Sequence, residues 1–308
     1  MSDVAISTEA LAKFYPRIRA VDGLNLRVPR GSIYGFLGRN GAGKTTTIRM
    51  LMGLTRPSAG SFQVLDLRWP HDRLAILQRV AYVSERKLLF DSMTGRELLR
   101  FNRVFFSSWS DHATNTCVKR LDIPLDQPFK KLSRGNQTKL CLLMAAAQGA
   151  ELLIIDEPTS GLDPIAQDEL LKLLIDEFAG SGRTVFLSSH HLAELERVAD
   201  WIGIIDQGKL LLEARLDDIR SSYRRVTASG NALPVSKDSR VISAVQSGST
   251  CDYVLSDQSD RFADELRSQG ATIVDVSPLN LSEIFLHLVR KEEPCTPGNV
   301  GATPAVSS

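Results

Sequence analysis

Gly38-Arg39-Asn40-Gly41-Ala42-Gly43-Lys44-Thr45-Thr46 decides how the chain is read. The pattern is glycine, four residues, then Gly-Lys-Thr, the spacing of a phosphate-binding loop. Gly38, Gly41 and Gly43 let the backbone turn tightly and present its N–H groups inward. An anion held there also meets the positive dipole end of the helix expected to begin near Lys44. In such a loop Lys44 reaches the β- and γ-phosphates and the Thr45 hydroxyl binds Mg²⁺, with Asn40 and Ala42 counted in the same nucleotide-binding stretch. The flanks suit this reading. Ile33 to Leu37 is a short apolar run of strand type, and Thr46 to Met52 is helical and stopped by Gly53. The bland alternative is a glycine-rich turn that matches by chance, and the flanking strand and helix argue against it. The loop alone does not say which nucleotide machine it serves.

Composition narrows the field. The 308 residues suffice for one large domain plus a small one, and 43 % hydrophobic residues can bury a proper core. The net charge of +1 supplies no field for nucleic acid. Cys117, Cys141, Cys251 and Cys295 are far apart and form no Cys-x-x-Cys pair, so reduced thiols are expected rather than zinc or disulfides. No secretory signal opens the sequence. The longest apolar run, Leu140 to Ala147, falls far short of the roughly 20 residues that span a bilayer. Any membrane role is therefore expected through a partner.

Outward from the loop, Val4 to Arg30 alternates apolar and polar residues and reads as antiparallel strands, one near Leu24 to Val28. Tyr15 on the first hairpin is either an aromatic that stacks on an adenine ring or an ordinary edge tyrosine. Strands follow at Gly60 to Leu65 and Ala81 to Ser84, then helical stretches at Gly95 to Phe106 and Ala113 to Leu121. Ser133 is a good N-cap for a helix running through Ala147. Leu152-Leu-Ile-Ile-Asp156-Glu157 is a wholly apolar strand ending in two acids, as a central parallel strand with function at its C-terminal end reads. Ser160-Gly-Leu-Asp163-Pro164 leads into a helix to about Phe178. Thr184 to Ser188 is the next strand, Leu192 to Val198 is helical, and Trp201 to Ile205 is again a strand. Strands alternating with helices give an α/β fold with a largely parallel sheet up to about residue 220. Arg220 to Arg225 is a boundary. Residues 221–290 read as a small α+β unit, and 291–308 as a disordered tail.

A phosphate loop needs a metal anchor, and Asp156 at the end of a buried strand is the standard partner. Glu157 beside it is placed to polarise an attacking water; the competing reading is a helix N-cap. His190 also lies at a strand end, where a γ-phosphate sensor would sit. His191 is the rival and is expected to start the next helix.

The loop, Leu132-Ser-Arg-Gly-Asn136, Leu152 to Glu157, Ser160-Gly-Leu-Asp163 and Ser189-His190 occur in the order and spacing of an ATP-binding-cassette (ABC) ATPase. The chain is most similar to the single-cassette subunits of ABC-2-type exporters. Asp206-Gln-Gly-Lys209 and Val276 to Leu286 resemble that group too, and the short region from Glu85 to Leu132 resembles bacitracin-resistance-type cassettes. The resemblance implies a P-loop NTPase fold with an antiparallel β subdomain and a helical subdomain at about 86–147, binding ATP and Mg²⁺. It implies that Tyr15 stacks on adenine, that Lys44, Thr45 and Thr46 contact phosphate and Mg²⁺, that Glu157 is the general base and His190 the switch histidine. It also implies that Asp163 communicates across a dimer and that Ser133 and Gly135 close on the γ-phosphate held by a second copy. A membrane permease is the implied partner, with the cassette on the cytoplasmic face.

Two positions depart from the pattern. Glu85 stands where glutamine is expected; a carboxylate there can still bind Mg²⁺ or orient water, so it counts among both the catalytic and the metal candidates. Arg134 and Asn136 replace the usual Gly and Gln of the signature, and Arg134 is expected to face solvent. The rivals are a DNA-repair cassette, which would carry a long coiled coil before the signature, and a translation-type ATPase, which would carry two cassettes. A GTPase switch would carry Asn-Lys-x-Asp. A non-hydrolysing scaffold would be separated by a phosphate-release assay.

Overall fold

A computed structural model describes residues 3–87, 90–230, 238 and 240–291. The chain divides between Asp217 and Asp218, three residues before the boundary read from composition.

The first unit opens with β1 (Val4–Tyr15), β2 (Ile18–Leu24) and β3 (Arg27–Pro29). The stretch Leu24 to Val28, expected to be one strand, is split. The Asn25 side-chain oxygen accepts from the Ala10 N–H at 2.8 Å, and the Leu26 N–H donates to Thr8 Oγ1 at 2.8 Å. These bonds turn the backbone, so β2 and β3 pair separately with β1. After β4 (Ile33–Leu37) and α1 (Lys44–Leu51) come β5 (Ala59–Val64) and β6 (Leu67–Arg68). The order β2-β1-β5-β6, with β3 on β1, makes an antiparallel sheet.

Next is α2 (Arg73–Arg79), a helix the sequence reading left out, followed by β7 (Val80–Val83). It buries Ile76 alone and leaves Leu74 exposed, so its apolar stripe is too thin to announce a helix. A helical group then runs through α3 (Gly95–Arg103), α4 (Asp111–Leu121) and α5 (Arg134–Gln148). Each start is capped by a side-chain oxygen, from Thr94, Ser110 and Ser133; Thr94 and Glu97 form a capping box. The unit continues with β8 (Leu152–Asp156), α6 (Pro164–Glu177), β9 (Thr184–Ser189), α7 (Leu192–Val198), β10 (Trp201–Asp206) and β11 (Lys209–Arg215). Helix α8 spans Leu216–Ser222.

The second sheet has the order β11-β10-β4-β9-β8-β7, parallel except for β11. Every residue of β4, β8 and β9 is buried, which is why these strands read as continuous apolar runs. Tyr34 stacks on Phe186 with ring centroids 5.5 Å apart. Burying each such side chain contributes roughly 1.5–3 kcal/mol. The register aligns Leu37 with Ser189 and Asp156 with Ser188, so the ends of three strands form one ledge.

The second unit is β12 (Arg224–Ser229), β13 (Val241–Ser247), β14 (Thr250–Leu255), α9 (Ser259–Ser268), β15 (Thr272–Pro278) and α10 (Leu281–Lys291). Its antiparallel order is β13-β14-β12-β15 around Val226, Tyr253, Phe262 and Leu266. The arginine pair taken as boundary opens β12, an inner strand. Arg225 pairs with Glu283 at 2.8 Å and Ser243 meets His287 at 2.8 Å, joining α10 to the sheet. The tail expected to be disordered lies outside the described residues beyond Lys291.

Candidate functional site

The phosphate loop leaves β4 at the ledge and enters α1. Gly43 is the N-cap of α1, with φ of 112° and no side-chain cap. A side chain there would collide with the Ala20 carbonyl oxygen. Glycine is therefore required, and the first N–H groups of α1 have no capping side chain. That is the electrostatic arrangement that attracts an anion. Asn40, Gly41, Gly43, Lys44, Thr45 and Thr46 line a cavity of about 460 Å³ together with Glu85, Glu157 and His190. Gly38 and Ala42 are buried behind it; the Ala42 carbonyl accepts from the Gly208 N–H at 2.9 Å.

Lys44 is buried, and its Nζ donates to the Gly38 carbonyl at 2.6 Å and the Arg39 carbonyl at 3.3 Å. It also lies 3.0 Å from Glu157 Oε1. That oxygen has no partner of hydrogen-bonding geometry, so the contact is an ion pair rather than a directed bond. The other oxygen, Oε2, lies 2.7 Å from His190 Nδ1. With Glu157 ionised, Nδ1 carries the proton and donates. Glu157 is 6 % exposed and holds φ of 47°, a left-handed conformation a glutamate rarely adopts. Its N–H is tied to the Ser188 carbonyl and hydroxyl, both at 3.2 Å. The turn after β8 thus aims the carboxylate at Lys44 and His190 at the cost of backbone strain. His191 is exposed and sits at the N-cap of α7, with its ring 3.8 Å from that of His190.

Asp156 is buried and accepts from Ser188 Oγ at 2.6 Å. Thr45, Glu85 and Asp156 line a second cavity of about 940 Å³ with Tyr82, Lys87 and Cys141. A hydroxyl and two carboxylates are a hard-oxygen donor set, the kind Mg²⁺ takes. Burial pushes the Tyr82 hydroxyl up to about 12, with Asp156 adding to it, so it stays a donor. Burial also pushes the Cys141 thiol up to about 12 and lowers Lys87.

The other predicted residues lie elsewhere. Tyr15 is 44 % exposed at the hairpin end, 5.2 Å from Lys13 Nζ, and Ala20 of the same hairpin reaches the phosphate cavity instead. Ser133 is exposed and caps α5, with Gly135 just inside the helix. Asp163 caps α6, accepting from Ile165 and Ala166 at 3.0 Å each. None of Ser133, Gly135 and Asp163 lines the phosphate cavity of its own chain. Arg134 is exposed as expected, but its guanidinium is seated against Gly161.

Three contributors escaped the sequence reading. Arg39 lines the cavity and pairs with buried Asp206 at 2.8 Å, locking the loop to the end of β10. Ser188 holds Asp156 at the end of β8 through its carboxylate and Glu157 just beyond it through its N–H. Ser160 also reaches the cavity. Asp206 and Ser188 were visible only as polar residues closing apolar strands, a signal without a partner until the topology is known.

A phosphate loop at a parallel-sheet ledge, facing an acid–histidine pair, defines a nucleotide-hydrolysing P-loop ATPase. The family model described as "ABC transporter" matches residues 21–160. The bacitracin transport ATP-binding protein BcrA of Bacillus licheniformis is 40 % identical over 225 residues, 71 % of this chain and 72 % of that one. The daunorubicin/doxorubicin resistance ATP-binding protein DrrA of Streptomyces peucetius is 34 % identical, covering 71 % of this chain and 67 % of that one. A solved ATP-binding subunit of an ABC transporter superposes with a TM-score of 0.64 at 29 % identity, over 70 % of this chain and 92 % of that one. A dimeric ATP-binding cassette bound to ADP and Pi shares the fold, with a TM-score of 0.60 at 18 % identity over 68 % of this chain and 98 % of that one. The chain belongs to the ABC transporter family and is an ATP-hydrolysing transport subunit.

Proposed function

We propose that two copies of the chain close on two ATP molecules and drive export through a separate membrane permease of the ABC-2 type. The observation that carries this is the convergence of Lys44, Glu157 and His190 on one cavity that Ser133 and Gly135 of the same chain do not line. A second copy supplies that signature pair. The relatives named for bacitracin transport and daunorubicin resistance support the export direction.

Glu157 takes a proton from the attacking water, with His190 Nδ1–H fixing its orientation. Lys44 exchanges the Gly38 carbonyl for phosphate oxygens, a charge-assisted contact stronger than the one it gives up. Thr45 and Asp156, with Glu85 on the same cavity, would hold Mg²⁺, which would supply neutralisation of phosphate charge there. The permease meets the larger cavity near Glu85, beside an exposed aromatic cluster. Phe90 and Phe101 meet edge-on at 5.3 Å and Phe101 and Phe105 at 5.1 Å, with Phe90 and Phe105 more than half exposed. No helix among the described residues is long and apolar enough to cross a membrane.

Phosphate release from ATP by the purified chain, with Mg²⁺ and with EDTA, tests the enzymatic reading. Release that depends on Mg²⁺ is expected; a rate equal in EDTA would remove the metal from the site. Co-purification from membranes with a polytopic permease tests the partner, and a chain that elutes alone under all nucleotide conditions would contradict the docking.

A further inference from the structure

Glu194 is a buried carboxylate that the proposed chemistry does not use. It lies in the first turn of α7 and is 8 % exposed. Its Oε2 accepts two hydroxyl hydrogen bonds, from Thr159 Oγ1 at 2.7 Å and from Ser189 Oγ at 3.1 Å. Its Oε1 is buried without a hydrogen-bond partner among the described residues. Taking a carboxylate out of water for two neutral donors is expensive, so the position has a use that outweighs this cost.

The donors indicate that use. Thr159 is fully buried and stands two residues after Glu157, in the loop that runs on to Asp163. Ser189 is fully buried and immediately precedes His190. The Ser189 hydroxyl also accepts from the His191 N–H at 2.9 Å, and the Ser189 carbonyl accepts from the Gly38 N–H at 3.4 Å. One carboxylate oxygen therefore joins the strand end carrying the histidine to the loop leaving the glutamate. Glu157 itself sits in a strained left-handed turn that must be held from outside.

We propose that Glu194 is a positioning residue: it fixes the distance between the backbones of Glu157 and His190, and couples that pair to the loop ending at Asp163. It touches neither nucleotide nor metal. The role rests on Glu157 and His190 being the hydrolytic pair.

The test is steady-state ATP hydrolysis by E194A, E194Q and T159V, each made in the wild-type chain and in H190A. E194A is expected to lower kcat by about tenfold to a hundredfold, the effect of a misplacement near 1 Å, with KM for ATP changed less than about twofold. E194Q keeps an oxygen that accepts both hydroxyls and recovers most of the rate; T159V loses one bond and lies between. In H190A, where there is no imidazole left to position, the E194A and T159V losses largely disappear. Losses that multiply unchanged in the H190A background indicate a merely structural carboxylate and overturn the proposal. So does E194A at the wild-type rate while H190A is impaired. H190A at the wild-type rate would overturn the hydrolytic pair itself, and this role with it. If E194A does not fold, T159V in the two backgrounds decides by the same rule.

Discussion

Glu157 Oε2 lies 2.7 Å from Nδ1 of His190, and the two residues leave the ends of adjacent parallel strands. The imidazole holds the carboxylate on one side while Lys44 holds it on the other. A base used on water must be aimed, and these two contacts fix the direction of its carboxylate. H190A is therefore expected to lower kcat by roughly 10²-fold or more, with ATP affinity nearly intact because Lys44 and the loop are untouched. Stopped-assay phosphate release alongside a nucleotide-binding titration checks the split. Equal losses in kcat and affinity would move His190 from catalysis to binding.

Ser133 sits at the start of α5 and outside the phosphate cavity of its own chain. If each site is completed by a second copy, K44A and S133R will complement. Mixed pairs contain one site with an intact loop facing an intact signature. A mixture of the two variants is expected to hydrolyse ATP faster than either alone. No gain on mixing, under conditions where the copies exchange, would place the signature in the same chain's site or outside the reaction.

Arg134 and Gly161 form a fitted pair. Gly161 holds φ of 73° and the Arg134 guanidinium occupies the place of a Cβ. G161A is expected to destabilise the fold by about 1–3 kcal/mol through left-handed backbone strain, since the exposed Arg134 guanidinium can swing aside at little cost. In an R134A background the cost is expected to stay nearly the same, because strain rather than collision sets it. Thermal melting of the four proteins measures the coupling; a G161A loss that largely vanishes in R134A would show that collision rather than strain sets the cost.

In the second unit, two hydrogen-bond contacts from Arg240 lower the Asp238 carboxyl from 3.8 to about 2, and Arg240 also pairs with Glu265. A depressed carboxylate stabilises the fold above its unfolded pKa. The benefit is lost as pH falls through the folded one, because the unfolded chain takes up its proton first. The contribution is therefore complete at pH 7 and declines between about pH 4 and about 2. R240M should be less stable than wild type at pH 7, and the gap should narrow at pH 3. Urea midpoints at the two pH values check this, and a gap that widens in acid would contradict the sign.

The sequence made the phosphate loop, the two buried strands and the order of the site residues legible, because each is a local pattern. Leu152 to Asp156 is apolar since both faces are covered, and Gly43 is glycine since its φ and the Ala20 carbonyl demand it. What stayed hidden depends on partners distant in sequence. Asn25 splits a strand through a bond to Ala10, fifteen residues away. Asp206 pairs with Arg39 across 167 residues, and Glu194 finds Thr159 across 35. Strand β12 was missed because Arg224 and Arg225 mask an alternation that only Val226 and Ala228 carry into the core.

The central claim is that Glu157 is the base and that ATP is held without it. Glutamine keeps the size of the side chain and removes the charge that accepts the proton. Phosphate release by E157Q, with the nucleotide retained on the protein identified after gel filtration, tests this most directly. Turnover is predicted to fall at least about 100-fold, with ATP rather than ADP recovered from a pair of copies. Release at the wild-type rate, or ADP as the retained nucleotide, would contradict the account.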